Sequence, residues 1–69
     1  MTDEQRLAAY EAMQREIEML YADASARLER LKAQDKQKTA SYREALGWKI
    51  WYKNVLELYA RHGLAEKPE

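Results

Sequence analysis

Gln34-Asp35-Lys36-Gln37-Lys38-Thr39 is wholly polar, and the apolar period that runs up to Leu31 does not resume until after Ser41. A break of this kind between two helix-patterned segments reads as the turn of a helical hairpin. Ser41 followed by Glu44 makes a capping box just ahead of the returning apolar pattern. The second helix is therefore expected to begin near Tyr42, with Thr39 as the rival cap. The connection holds neither Gly nor Pro, which leaves one competing architecture, a single continuous helix in a long coiled coil.

On the N-terminal side of this break, Leu7, Tyr10, Met13, Ile17, Leu20 with Tyr21, Ala24, Leu28 and Leu31 recur at steps of three and four. That is the period of one buried helical stripe, and it predicts a first helix over residues 3–33. Thr2 with Gln5 fits a capping box, while Asp3 and Glu4 place negative charge where the helix dipole favours it. Glu11 with Arg15 and Asp23 with Arg27 stand four apart in the favourable order on a solvated outer face.

On the C-terminal side, Ala45, Trp48, Tyr52, Val55, Tyr59 and His62 form a second series with the same steps, expected to pack on the first stripe at a shallow crossing angle. Trp51 and Leu58 widen this seam on one side, Tyr42 and Leu56 on the other, and Leu46 and Ile50 point elsewhere again. Arg61 and His62 suit the last turn, Gly63 suits the left-handed position after it, and Leu64 would close a Schellman contact. The second helix is thus expected over 42–62, after a turn at 34–41, with a tail at 63–69. The fold class read here is all-α: one domain, a two-helix antiparallel hairpin that dimerises into a four-helix bundle.

The dimer follows from size. A chain of 69 residues hides only about 60% of its unfolded surface when it folds alone. Small folds escape this with disulfides, a metal or association. Cysteine is absent and His62 is the only histidine, so disulfides and thiolate metal sites are excluded and association remains. Apolar groups also surround well over half of the second helix, more than one companion helix covers. The candidate interface is accordingly Leu46, Gly47, Trp48, Ile50, Trp51, Tyr52, Val55, Leu56, Leu58 and Tyr59, since aromatic enrichment marks interface cores. Gly47 costs about 1 kcal/mol relative to alanine inside a helix. Either a neighbour approaches closely across it, or the helix kinks or frays there.

Twelve acids balance twelve bases, so no net field draws the chain to nucleic acid or anionic lipid. The balance is uneven along the chain. Residues 1–23 hold six acids against two bases, and residues 24–53 hold eight bases against three acids. A hairpin then has a basic turn end and an acidic open end, and two antiparallel hairpins set opposite charges side by side. The N-terminus lacks the basic start and apolar stretch of a secretory signal, so a cytoplasmic location is expected, with no membrane association.

Chemistry is sparse. No nucleophile with a base, phosphate-cradling glycine loop or calcium loop occurs, and neither an enzyme nor a cofactor is expected. The reading is a small interaction module, a homo-oligomer acting on a larger protein in an accessory, regulatory or inhibitory role. The alternative is a nucleic-acid regulator using the basic tip, where Lys36, Lys38 and Arg43 offer phosphate contacts and Tyr42 a stacking ring.

Overall fold

The computed structural model describes residues 1–63 and contains two helices, α1 (Asp3–Ala33) and α2 (Ala40–Arg61), packed against each other as an antiparallel hairpin. Its extents of 49 × 21 × 15 Å are those of a single layer. A helix of 31 residues spans about 46 Å at ~1.5 Å per residue, which accounts for the long dimension. The continuous-helix alternative is excluded, because the chain reverses direction between Ala33 and Ala40.

α1 begins with a complete capping box. The Gln5 N–H donates to Thr2 Oγ1 at 3.1 Å, and the Thr2 N–H donates to Gln5 Oε1 at 2.9 Å. These two bonds satisfy donors that a helix start leaves open, and Asp3 and Glu4 add charge of the right sign.

The reversal has a specific cause that lies at Asp35, with φ +57°. The Asp35 N–H donates to Lys32 O at 3.0 Å, and the Lys36 N–H donates to Leu31 O at 2.8 Å. Those two bonds are the Schellman pattern, built here on a left-handed aspartate in the place usually held by glycine. The left-handed region costs an L-residue roughly 1–2 kcal/mol, and a carboxylate there also opposes the negative end of the α1 dipole. Asp35→Gly is therefore expected to raise stability by about 1 kcal/mol, a rise of several degrees in Tm for a domain of this size. A thermal melt followed by circular dichroism checks it; an unchanged or lowered Tm contradicts the strain.

The start of α2 corrects the expected cap. Thr39, not Ser41, is the N-cap: its Oγ1 accepts from the Tyr42 N–H at 3.2 Å and donates to Lys36 O at 2.7 Å. The hydroxyl thereby ties the turn to the helix, an arrangement that Ser41 cannot make from its position inside the first turn. Ser41 is exposed within α2, and the Ser41/Glu44 pair is not a capping box. At the other end His62 is the C-cap and Gly63 takes φ +72°, with its N–H donating to Ala60 O at 3.0 Å. The expected Leu64 contact lies outside the described residues.

The packing faces follow strict three-four steps; on α1 the phase is the expected one, and on α2 it differs. On α1 the buried and half-buried positions are Tyr10, Gln14, Ile17, Leu20, Tyr21, Ala24, Ser25, Leu28 and Leu31. Leu7 and Met13, expected in that stripe, are exposed. On α2 the face runs through Tyr42, Ala45, Lys49, Tyr52, Leu56 and Tyr59. Trp48 and His62 are exposed and Val55 is only half-buried, so the seam of Ala45, Trp48, Tyr52, Val55, Tyr59 and His62 is corrected: α2 is rotated so that Leu56 faces α1.

The reason is steric and geometric. An apolar arc wider than half the helix has no unique phase, and the phase adopted is the one that fits between axes about 8–10 Å apart. Ala45, at 2% exposure the most buried of the described residues, lets the backbones approach, whereas the Trp48 indole on the interhelical line would hold them apart. Lys49 is half-buried on this face, a position open to lysine because its stem can cover apolar surface while the ammonium stays in water.

The resulting core is thin. Leu28, Ala45, Leu56 and Tyr59 are its buried members among the described residues. Tyr10 meets Tyr59 edge-on, with ring centroids 5.5 Å apart and planes at 65°, a favoured aromatic geometry that closes the open end of the hairpin.

Candidate interaction surface

Rotating α2 places a second stripe in solvent. Trp48, Trp51, Val55 and Leu58 again step three, four and three, so they line one edge of α2, roughly a quarter-turn from the face that meets α1. Trp48, Trp51 and Leu58 are 48%, 53% and 45% exposed. Exposed large apolar groups scattered singly need no explanation, but a contiguous row at helical spacing is the pattern of an interface.

The rings in this stripe organise one another. Trp48 stacks on Tyr52 at 5.7 Å and 22°, Trp51 meets Tyr52 edge-on at 5.5 Å and 76°, and the two indoles stand at 6.2 Å and 82°. Such pairs contribute about 0.5–1.5 kcal/mol each beyond area burial, so the cluster is held in place before anything binds it. Rigid aromatic anchors lose little rotamer freedom on association.

Beside Trp48 an open groove of about 260 Å³ runs between the helices, lined by Leu20, Asp23, Ala24, Arg27, Arg30, Ala45, Trp48 and Tyr52. Its volume falls below the ~300–1,000 Å³ of enclosed small-molecule sites, and it is better described as a furrow in a flat face. The lining fixes the relative level of the helices: Trp48 and Tyr52 stand across from Leu20 to Arg27. Met13, seven residues before Leu20, shares its flank of α1 and extends the same face.

The remaining candidate residues divide between two other places. Leu56 and Tyr59 are buried against α1 and Tyr52 is half-buried, so of these three only Tyr52 reaches the surface stripe. Leu46 and Ile50 are exposed on the opposite edge of α2, among Arg43, Lys53, Asn54, Glu57 and Arg61. Gly47 meets nothing within 4 Å of an added Cβ, and α2 runs through it as regular helix. Its two chain neighbours aside, no side chain, that of Trp51 included, closes over this glycine.

At the basic tip Lys36, Lys38 and Arg43 are exposed, while Tyr42 is half-buried on the packing face. Among the described residues no group of three or more His, Cys, Asp or Glu side chains is placed to hold a metal ion, and no helix is long and apolar enough to cross a membrane.

Two packed helices with one face uncovered define the class, an antiparallel helical hairpin with an open aromatic flank. No family model, curated protein or solved structure matches the chain.

The sequence reading missed Met13 as a flank residue and Gln14 and Lys49 as packing residues. The 48, 51, 55, 58 spacing carries the signal for the second stripe, but periodicity alone equally admits Trp48 and Val55 to the first seam.

Proposed function

We propose that this hairpin is a non-catalytic protein interaction module of the cytoplasm that works as an oligomer and presents a surface to a larger protein in an accessory, regulatory or inhibitory role. The observation that carries the proposal is the second apolar stripe. Trp48, Trp51, Val55 and Leu58 repeat the spacing of a packing face, yet Trp48, Trp51 and Leu58 are exposed and Val55 only half-buried in the single chain. Among the described residues only Leu28, Ala45, Leu56 and Tyr59 are buried. A hairpin this thin therefore gains most by covering a further face.

Assembly through the Trp48 edge leaves the opposite edge free, where Leu46 and Ile50 sit in a charged surround. A small apolar centre with a polar rim is the usual anatomy of a non-obligate contact, and this edge is the proposed contact for the larger protein. The nucleic-acid reading is less well supported, because Tyr42, its stacking ring, is half-buried against α1.

Light scattering at concentrations from micromolar to millimolar tests the assembly. The expected mass moves toward twice the 8.2 kDa of one chain as concentration rises. A folded species that stays monomeric at millimolar concentration overturns the proposal.

A further inference from the structure

Resting on the assembly reading above, the geometry points to a second copy of this chain as the occupant of the Trp48 face, seated antiparallel so that α1 packs on α1 and α2 on α2 across a twofold axis perpendicular to the helices. Size permits it. A face of 49 by 21 Å exceeds the ~800 Å² that each partner contributes to a standard interface.

Charge chooses the orientation. A twofold axis along the helices would place the two turn ends together, setting Arg27, Arg30, Lys36 and Lys38 beside their own copies. An axis across the helices sets each basic turn end beside the other copy's acidic end; there Glu16 is the acid on the flank of Leu20 and Arg27, while Glu11 and Glu18 lie on the far side of α1 and act only at longer range. Like charges brought together cost free energy and opposite charges fix register.

The same arrangement makes a residue-level statement. Leu20 and Arg27 line the furrow. Glu16, exposed and four residues before Leu20, lies on the same flank of α1. In an antiparallel α1 to α1 contact centred between residues 16 and 27, Glu16 of one copy meets Arg27 of the other, and symmetry repeats the pair. Trp48 and Tyr52 stand at the level of Leu20 to Arg27, so the centre of that contact brings Trp48 and Trp51 of the two copies close to the axis. Four indoles then form the middle of the interface, and two ion pairs flank them.

A charge exchange tests this, read as the dimer dissociation constant by sedimentation equilibrium at low salt, with helicity checked by circular dichroism. Glu16→Arg and Arg27→Glu, both at exposed positions, are each expected to weaken self-association about tenfold, since each places two like-charged contacts in the dimer. The double variant, and a one-to-one mixture of the two single variants, are expected to recover to within about threefold of wild type, because both restore opposite charges across the axis. A wild-type dimer that is indifferent to the single changes, or a double variant no tighter than the singles, overturns this seating while leaving assembly itself standing. A wild-type chain that never dimerises overturns both.

Discussion

Leu56→Ala is expected to lower the stability of the hairpin by about 2–4 kcal/mol, most of what a fold of this size has to lose. Leu56 is one of four buried apolar side chains among the described residues and only 5% exposed. Its removal opens a void between the two helices, in the C-terminal half of α2. The loss lies in the lower part of the range for Leu→Ala changes, because a single-layer fold lets water or a shifted α1 fill part of the gap. Ile50→Ala supplies the contrast. Ile50 is 51% exposed, and its truncation should change stability by no more than about 0.5 kcal/mol, with alanine's better helix propensity offsetting lost contact. Urea titrations at matched protein concentration measure both, which keeps any contribution of association equal. Equal losses for the two variants contradict the rotation of α2 described here.

The second large effect is on assembly. Trp48→Ala combined with Trp51→Ala is expected to weaken self-association by at least a thousandfold, about 4 kcal/mol. Buried tryptophans are the residue type most often dominant in interfaces, and twofold symmetry makes each change count twice. Within one chain the same changes remove the Trp48–Tyr52 stack and the edge contacts of Trp51, a loss of a different and smaller kind, about 0.5–1.5 kcal/mol per pair. The two losses separate by concentration: helicity falls equally at all concentrations if only the intrachain stack matters, and wild-type helicity rises with concentration if association matters. Five tyrosines remain to report absorbance once both indoles are gone. A double variant that sediments as wild type does would show that any dimer uses another face.

Association would also change the reading of Gly47. It lies beside the Trp51 edge and, its two chain neighbours aside, has nothing within 4 Å of an added Cβ, so no close approach of another part of the described chain accounts for its low helix propensity. The hairpin alone leaves this residue unexplained.

The sequence carried the helical class in unequal shares. Thr2 with Gln5 was readable as a cap because both partners sit within one turn and the bond needs nothing from elsewhere in the chain. The turn was readable as a loss of period, but not its mechanism. Asp35 in the left-handed region is a backbone state that glycine would have announced, and the Thr39 hydroxyl was chosen over Ser41 by its second bond, to Lys36 O, which exists only once the turn has formed. For the candidate surface, the list of apolar residues on α2 was legible, whereas their division among three edges was not. Leu56 and Trp48 differ little in period and hydrophobicity, and 5% against 48% exposure separates them.

What the amino-acid sequence determined by itself is local: two helices, their N-terminal cap, a polar break between them, and an excess of apolar side chains on the second. These depend on contacts three and four residues apart, where propensity and periodicity act directly. Only the tertiary structure decided which part of that apolar arc turns inward. That choice depends on how closely two backbones can approach, and the approach is governed by the small Ala45 in the packing face and by a Trp48 indole too large to share it. The outward stripe, and with it the proposed seat for a second copy, is the remainder left by that fit.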